Sequence, residues 1–289
     1  HRTVTDDLNK CMESDAIIIA SPTHAHTDQM DALKEFSGYI LLEKPATMEV
    51  RDLIRLKNLP DEIKSRTRVN FNFQFNQVAR TLYAVLNEQK IGDPIHAIFE
   101  TNHGAAFRPE WEKSWRSQDH FAGPIFTVGI HYVRWLIEIF HKPDEVMIST
   151  SSKAVPQIND SGTALFKWNQ GFTAAVFASY ASAFKIRFEI VGTDGYVNYD
   201  GETIRLFSPR NTFNKDGFFI KPPQKKLLDI SWAQAYQQSL INSSKDFFLK
   251  VKTFDKDIHK SYYKIHHYSL FTASLPKKIR NFTQATRKY

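Results

Sequence analysis

Within its first 75 residues the chain alternates short unbroken apolar runs with helix-like stretches, and this alternation restricts the fold more than any other feature. Asp15-Ala-Ile-Ile-Ile-Ala-Ser21 is an apolar run halted by Pro22, as expected of a parallel strand buried on both faces. A polar turn and a helix over 27–36 follow. Gly38-Tyr-Ile-Leu-Leu-Glu43 is a second buried strand, stopped by Lys44-Pro45. The next helix spans 48–58 and places Val50, Leu53, Ile54 and the stem of Lys57 on one face. A third strand over 67–75 alternates polar and apolar residues. Strand, helix, strand, helix, strand at this spacing predicts parallel βαβ units.

The pattern changes after residue 76. A helix over 77–89 carries Val78, Leu82, Val85 and Leu86 as its apolar stripe and stops at Gly92-Asp93-Pro94. A strand at 96–101 opens a β-rich series, interrupted by a polar-aromatic stretch and by a strongly apolar helix over 125–140. Strands at 145–155, 163–168, 172–182, 185–191, 196–199 and 203–207 follow, with hairpin turns at Trp168-Asn-Gln-Gly171 and Gly192-Thr-Asp-Gly195. Helices over 232–251 and 258–275 close the chain. The fold class expected is α/β plus α+β. Residues 1–76 are expected to form a parallel βαβ sheet, and residues 77–289 a domain with a helix-backed, mainly antiparallel open sheet. The length of 289 residues suits two domains at about 150 each. A ligand is expected in the crevice beyond the carboxyl ends of the parallel strands.

Composition narrows the chemistry. Eleven glycines, where average usage gives roughly 20, include no two separated by a single residue. A G-x-G-x-x-G fingerprint and a Walker A loop are therefore both absent. The single cysteine, Cys11, excludes an intrachain disulfide and any cysteine-based zinc site, and a cytoplasmic, reducing location is expected. No run of about 18 apolar residues predicts a membrane span. The net charge of +7 is spread along the chain without the stacking aromatics of an RNA-binding sheet, so neither nucleic acid nor membrane is an expected partner. An anionic small molecule would be steered by this charge.

Two loops follow the first two strands, Ser21-Pro-Thr-His-Ala-His26 and Glu43-Lys44-Pro45. The proline of the second fixes the backbone and admits a cis bond. Lys44 there suits anion binding, a hydrogen bond to a substrate hydroxyl, or base chemistry if desolvated, though spacing alone favours an ordinary strand-end lysine. His131 lies within the apolar helix, four residues after Thr127, so both share one face. It suits a general base, but alone reads first as a satisfied core histidine. Arg134, three residues on, is a further polar group in that apolar element and favours a cleft-lining face. His24 and His26, and His259, His266 and His267, lack the partners of a metal site, so capping, packing or surface roles are expected and no metal is assigned.

Taken together these segments resemble the glucose-fructose oxidoreductase, inositol dehydrogenase and rhizopine-catabolism (Gfo/Idh/MocA) family. The run from Asp15 to His26 resembles the family's strand and P-x-x-x-H loop, and Glu43-Lys44-Pro45 its E-K-P motif. Ile91-Gly-Asp-Pro-Ile95 is similar to the turn entering the second domain. Residues 123–136 resemble the helix that carries the family histidine, and Gly192-Thr-Asp-Gly195 the late G-x-x-G hairpin. The resemblance implies a dehydrogenase using NAD or NADP on a sugar, polyol or sugar nucleotide. It assigns Lys44 and His131 as catalytic, with Ser21, Pro22, Thr23, His26, Glu43, Lys44 and Pro45 along the cofactor. Trp115, Arg116, Thr127 and His131 fall near the substrate.

The family's second domain implies homo-oligomers through its sheet. The sequence departs from the family in lacking the first strand and glycine-rich loop, about 60 residues at roughly 30 per βαβ unit, so the chain is expected to begin inside the first domain and its Rossmann-type parallel sheet to be incomplete. It departs also in carrying Thr127 for the family aspartate and Thr23 for the usual asparagine. Two other readings stand beside the dehydrogenase: a relative that uses NAD transiently to cleave a glycosidic bond, and a non-catalytic binding or assembly protein.

Overall fold

The computed structural model describes residues 7–118, 123–155 and 158–253. The predicted helix over 258–275, with His259, His266 and His267, lies outside the described residues. The chain divides into two units. Among the described residues, one comprises those up to Phe71 together with 242–253, and the other Asn72–Ile241. The boundary therefore falls a few residues before position 76, and the C-terminal helix contributes to both units.

In the first unit, α1 (Leu8–Met12) leads into β1 (Ala16–Ile19), α2 (Thr23–Ala32), β2 (Tyr39–Glu43), α3 (Val50–Asn58), α4 (Asp61–Ser65) and β3 (Thr67–Asn70). The three strands form a parallel sheet in the order β1-β2-β3. The central strand β2 is apolar up to its last residue, Glu43, because both of its faces are covered. Tyr39 and Leu41 pack against Phe247 and Val251, while Ile40 and Leu42 alternate to the opposite face and are fully buried. β1 pairs only with β2 among the described strands, and Ile18 on it is 49% exposed.

Three further local expectations shift. The helix predicted from 27 begins at Thr23, since Pro22 supplies a preset backbone at the helix start and its carbonyl accepts the Ala25 N–H at 2.9 Å. His24 and His26 therefore lie on helix rather than loop. In α3 the buried pair is Leu53 and Leu56, while Val50 and Ile54 face solvent. The alternating run from Thr67 leaves the sheet at Asn70 and continues as a 3₁₀ turn over Asn72–Phe75.

The second unit contains α5 (Gln77–Asn87), β4 (Pro94–Asn102), α6 (Trp115–Gln118), α7 (Ile130–Phe140), β5 (Glu145–Ser151), β6 (Ser161–Lys167), β7 (Thr173–Ser179), β8 (Lys185–Gly192), β9 (Gly195–Tyr199), β10 (Thr203–Phe207) and β11 (Gln224–Asp229). The helix α8 (Trp232–Lys252) follows. Its eight strands run in the order β11-β10-β9-β8-β4-β7-β6-β5, antiparallel except for the central β4–β7 pair. The open, mainly antiparallel sheet is the one expected. The sequence reading missed β11, a charged edge strand whose Lys225 and Lys226 stay exposed, as edge strands require.

The apolar helix opens with a π-helical turn over Ile125–Gly129 before α7 proper. Gly129 lets that turn approach β7, because a Cβ there would lie 3.3 Å from Val176 Cγ1.

The two glycine turns singled out in the sequence meet in space. Thr193 N–H donates to the Asp93 carbonyl and Asp194 N–H to that of Ile91, both at 2.9 Å, while Asp93 N–H donates to Thr193 Oγ1 at 3.0 Å. Gly92 holds φ at +68°, and a Cβ there would lie 2.3 Å from Thr193 Oγ1. Gly92→Ala combines a left-handed backbone with this clash, so the variant is expected to lose about 2 kcal/mol or more of stability in urea denaturation.

Candidate functional site

The site residues predicted at the ends of β1 and β2 are brought together within the first unit. His26 is 1% exposed, and its ring bridges the two loops. Nε2 lies 2.9 Å from the Ser21 carbonyl and Nδ1 3.1 Å from that of Pro45. Both carbonyls only accept, so a neutral ring, with one N–H, donates to one of them at a time. Pro22 caps α2 without a side-chain hydrogen bond, so the helix start beside Ser21 and Thr23 leaves its amide donors uncapped by side chain. A groove of about 610 Å³ runs along β1 and α2, lined among others by Ile19, Ala20, Ser21 and His24.

Lys44 follows β2, and its peptide bond to Pro45 is cis. The Glu43 carboxylate beside it is held at both oxygens. Oε1 accepts a 2.6 Å hydrogen bond from Asn70 Nδ2, and Oε2 accepts the Lys44 backbone N–H at 3.3 Å.

The second unit holds the other predicted group. His131 lies in the first turn of α7, is 3% exposed, and stacks face to face on Phe73 with ring centroids 3.6 Å apart and planes 6° from parallel. One turn earlier Thr127 is equally buried. Its single hydroxyl proton goes to the Gly123 carbonyl at 3.0 Å, so the Tyr180 hydroxyl, in contact with Thr127 Oγ1, is the donor in that pair.

Tyr180 is positioned by its backbone N–H, which donates to the Asp160 carbonyl at 2.7 Å. Burial raises the Asp160 carboxyl, but the N–H groups of Lys153, Val155 and Ala154 and the Ser161 hydroxyl outweigh this and hold it below its ordinary value. Trp115 and Arg116 sit on the short helix α6, where the Arg116 N–H donates to Ser114 Oγ at 3.3 Å. Arg134 is buried in an ion pair with Glu138 at 2.7 Å and reaches Gln74, so its charge serves the packing of α7.

Sequence reasoning missed Asn70, Phe73 and Tyr180. Only the polar residue ending β3 offered a local signal. Among the described residues no group of three or more His, Cys, Asp or Glu side chains is placed to hold a metal, and no helix is long and apolar enough to cross a membrane.

A three-stranded parallel sheet with polar loops at its strand ends is followed by a mainly antiparallel sheet with a buried helix histidine, and a family model matches each part. Residues 3–71 match the oxidoreductase family with NAD-binding Rossmann fold, and residues 79–198 match the GFO/IDH/MocA C-terminal domain. The chain belongs to the GFO/IDH/MocA family.

Among its relatives is the uncharacterized oxidoreductase YfiI of Bacillus subtilis, 23% identical over 200 residues that cover 64% of this chain and 51% of the relative. Another is glycosyl hydrolase family 109 protein 2 of Phocaeicola vulgatus, 26% identical over 157 residues, 50% of this chain and 38% of the relative. The chain spans about half or less of the length of these relatives. Levoglucosan dehydrogenase, solved with NADH and levoglucosan, shares the fold with a TM-score of 0.74 at 17% identity, over 96% of this chain and 82% of the other.

The helix amides left uncapped by side chain after β1 and the lysine after β2 are donors that suit an anionic ligand. The glycines supply no closely spaced pair, so a pyrophosphate cradle is not among these residues.

Desolvation lowers the pKa of His26 from 6.5, against the raising influence of the Ser21, Pro45 and Ala46 backbone and of Glu43. The folded state thus resists protonation more than the unfolded chain. The resulting stability is present above pH 6.5 and is lost as pH falls through the lowered folded value. Thermal melts from pH 7.5 downward should show this acid-side loss, and His26→Gln, which keeps a donor but does not titrate, should shrink it.

Proposed function

We propose that the protein is an NAD- or NADP-dependent dehydrogenase that transfers a hydride between the nicotinamide and a ring hydroxyl of a sugar, polyol or sugar nucleotide. Family membership supports the reaction class. The observation that carries the site is the placement of Lys44 immediately after β2, beside a Glu43 carboxylate held at both oxygens.

The bound nicotinamide supplies the hydride acceptor. In this reading His131 would accept a hydroxyl proton on a ring nitrogen, and its stack on Phe73 limits rotation of the imidazole. The Lys44 ammonium would hydrogen-bond a substrate hydroxyl and stabilise negative charge developing on it. Ser21, Thr23 and the start of α2 bind the cofactor, while His26 and Pro45 hold the two loops in register. Trp115, Arg116 and Thr127 belong to the substrate side, Thr127 through Tyr180.

Lys44→Ala and His131→Ala, made in the full-length natural protein, should each lower kcat for polyol or sugar oxidation by about 100-fold, followed as NAD(P)H absorbance. Unchanged rates in both variants would remove the site assignment. The glycosyl hydrolase relative supports a second reading, in which oxidation of a ring hydroxyl to a ketone acidifies the adjacent C–H and so permits elimination of the glycosidic substituent. Release of free sugar without net NADH in the same assay identifies it.

Self-association through the open sheet is part of the proposal. Met147 on β5 and Leu165 on β6 are register partners, and both are about half exposed. Apolar pairs of this kind on an uncovered sheet face mark an interface. Leu165→Glu should shift the mass measured by light scattering toward the monomer.

A further inference from the structure

The hydrogen bond from Asn70 to Glu43 is the last link of a longer chain. The amide oxygen of Asn70 accepts the Ser243 hydroxyl at 2.6 Å. Ser243 Oγ in turn accepts Arg68 Nη2 at 3.2 Å, and the same nitrogen donates to the Ser243 carbonyl at 2.6 Å. Arg68 Nη1 pairs with Asp246 at 2.6 Å. Arg68 and Asn70 are two residues apart on β3 and so share a face, while Ser243 and Asp246 lie on neighbouring turns of α8. Arg68, Asn70 and Ser243 are all buried.

The order of donors is settled by chemistry. A guanidinium can only donate, an ionised carboxylate can only accept, and the serine hydroxyl and asparagine amide between them each do both. The run Arg68 to Ser243 to Asn70 to Glu43 therefore has one sense, from a positive to a negative end, and each link polarises the next. The amide of Asn70 cannot turn over without facing its NH₂ toward Ser243 and its oxygen toward the carboxylate.

We propose that Asn70 and Ser243 are positioning residues for the Glu43-Lys44-Pro45 turn. Through them the C-terminal helix α8 sets the orientation of Lys44. The significance of that orientation for hydride transfer rests on the dehydrogenase reading, whereas the positioning itself does not.

Two measurements on the full-length protein test the assignment. The first follows acylation of lysines by acetic anhydride, residue by residue, in mass spectra. Ser243→Ala removes one link without changing charge, and it is expected to change the Lys44 labelling rate by about 3-fold or more while leaving the exposed Lys34 and Lys57 unaltered. Equal rates at all three lysines in wild type and variant overturn the proposal.

The second measurement is the pH profile of kcat in Asn70→Asp. This substitution sets two carboxyl groups side by side, and groups that close share a proton near neutrality. His26 on α2 feels the Glu43 charge, the Lys44 backbone N–H donates to Glu43 from its own loop, and Arg68 and Asp246 stand behind Ser243. With a proton shared, the introduced carboxyl still donates to Glu43, as the amide does. Once that proton is lost the link breaks. The variant is therefore expected to approach wild-type kcat at low pH and to fall by about 10-fold as pH rises, with KM little changed.

A profile superimposed on wild type overturns the proposal, because the new ionisation would then have no bearing on Lys44. A labelling shift at Lys44 in a protein that oxidises no sugar or polyol upholds the positioning role and removes the dehydrogenase reading.

Discussion

A guanidinium buried against β3 is the constraint on which the first unit depends. Taking Arg68 out of water costs several kcal/mol unless its donors are met, and burial pulls its pKa down while Asp246 opposes that shift. Asp246, Ser243 and the Ser243 carbonyl meet those donors, and all three sit on α8. Phe247 on the same helix lies under the guanidinium, 5.2 Å from its carbon, and buries Tyr39 and Leu41 of the central strand. One charge therefore fixes the lateral position of the helix and, through Ser243 and Asn70, a carboxylate at the mouth of the sheet. Apolar packing alone would allow that helix to slide. The directional bonds do not.

The second unit handles its buried polar groups in a different way. His131 and Thr127 stand on a helix that is otherwise apolar, and the local backbone departs from α geometry just before the histidine. Extra-residue turns of this kind recur where a helix must present a functional side chain. The Thr127 hydroxyl is spent on its own helix, and a phenol from a neighbouring strand completes it. Neither hydroxyl is charged, so the pair brings a hydrogen bond and no charge to this part of the helix.

Much of this was legible in the sequence, for identifiable reasons. The strand Tyr39–Glu43 was plain because both its faces are covered, which leaves an unbroken apolar run. The segment Asn70-Phe-Asn-Phe-Gln-Phe75 alternates as a strand would and then coils. Its asparagines find serines on α8 instead of a sheet surface, with Asn72 Nδ2 donating to Ser239 Oγ at 2.7 Å. The motif residues Lys44 and His131 were found by resemblance. Asn70 and Ser243 are 173 positions apart, and no local pattern announces a hydrogen bond between such residues.

The central strand of the large sheet has a consequence for the order of events on the ribosome. β4 is complete at Asn102, but the strands that flank it, β7 and β8, begin only at Thr173 and Lys185. At about 5–20 residues per second, the strand destined for the middle of the sheet waits several seconds with both edges open. Of the two neighbours, the first to emerge must pair in parallel, which no tight turn can assist. The polar-aromatic stretch and the apolar helix that separate them are thus made early and packed late, and a nascent chain of this design has reason to engage a chaperone before its sheet can close.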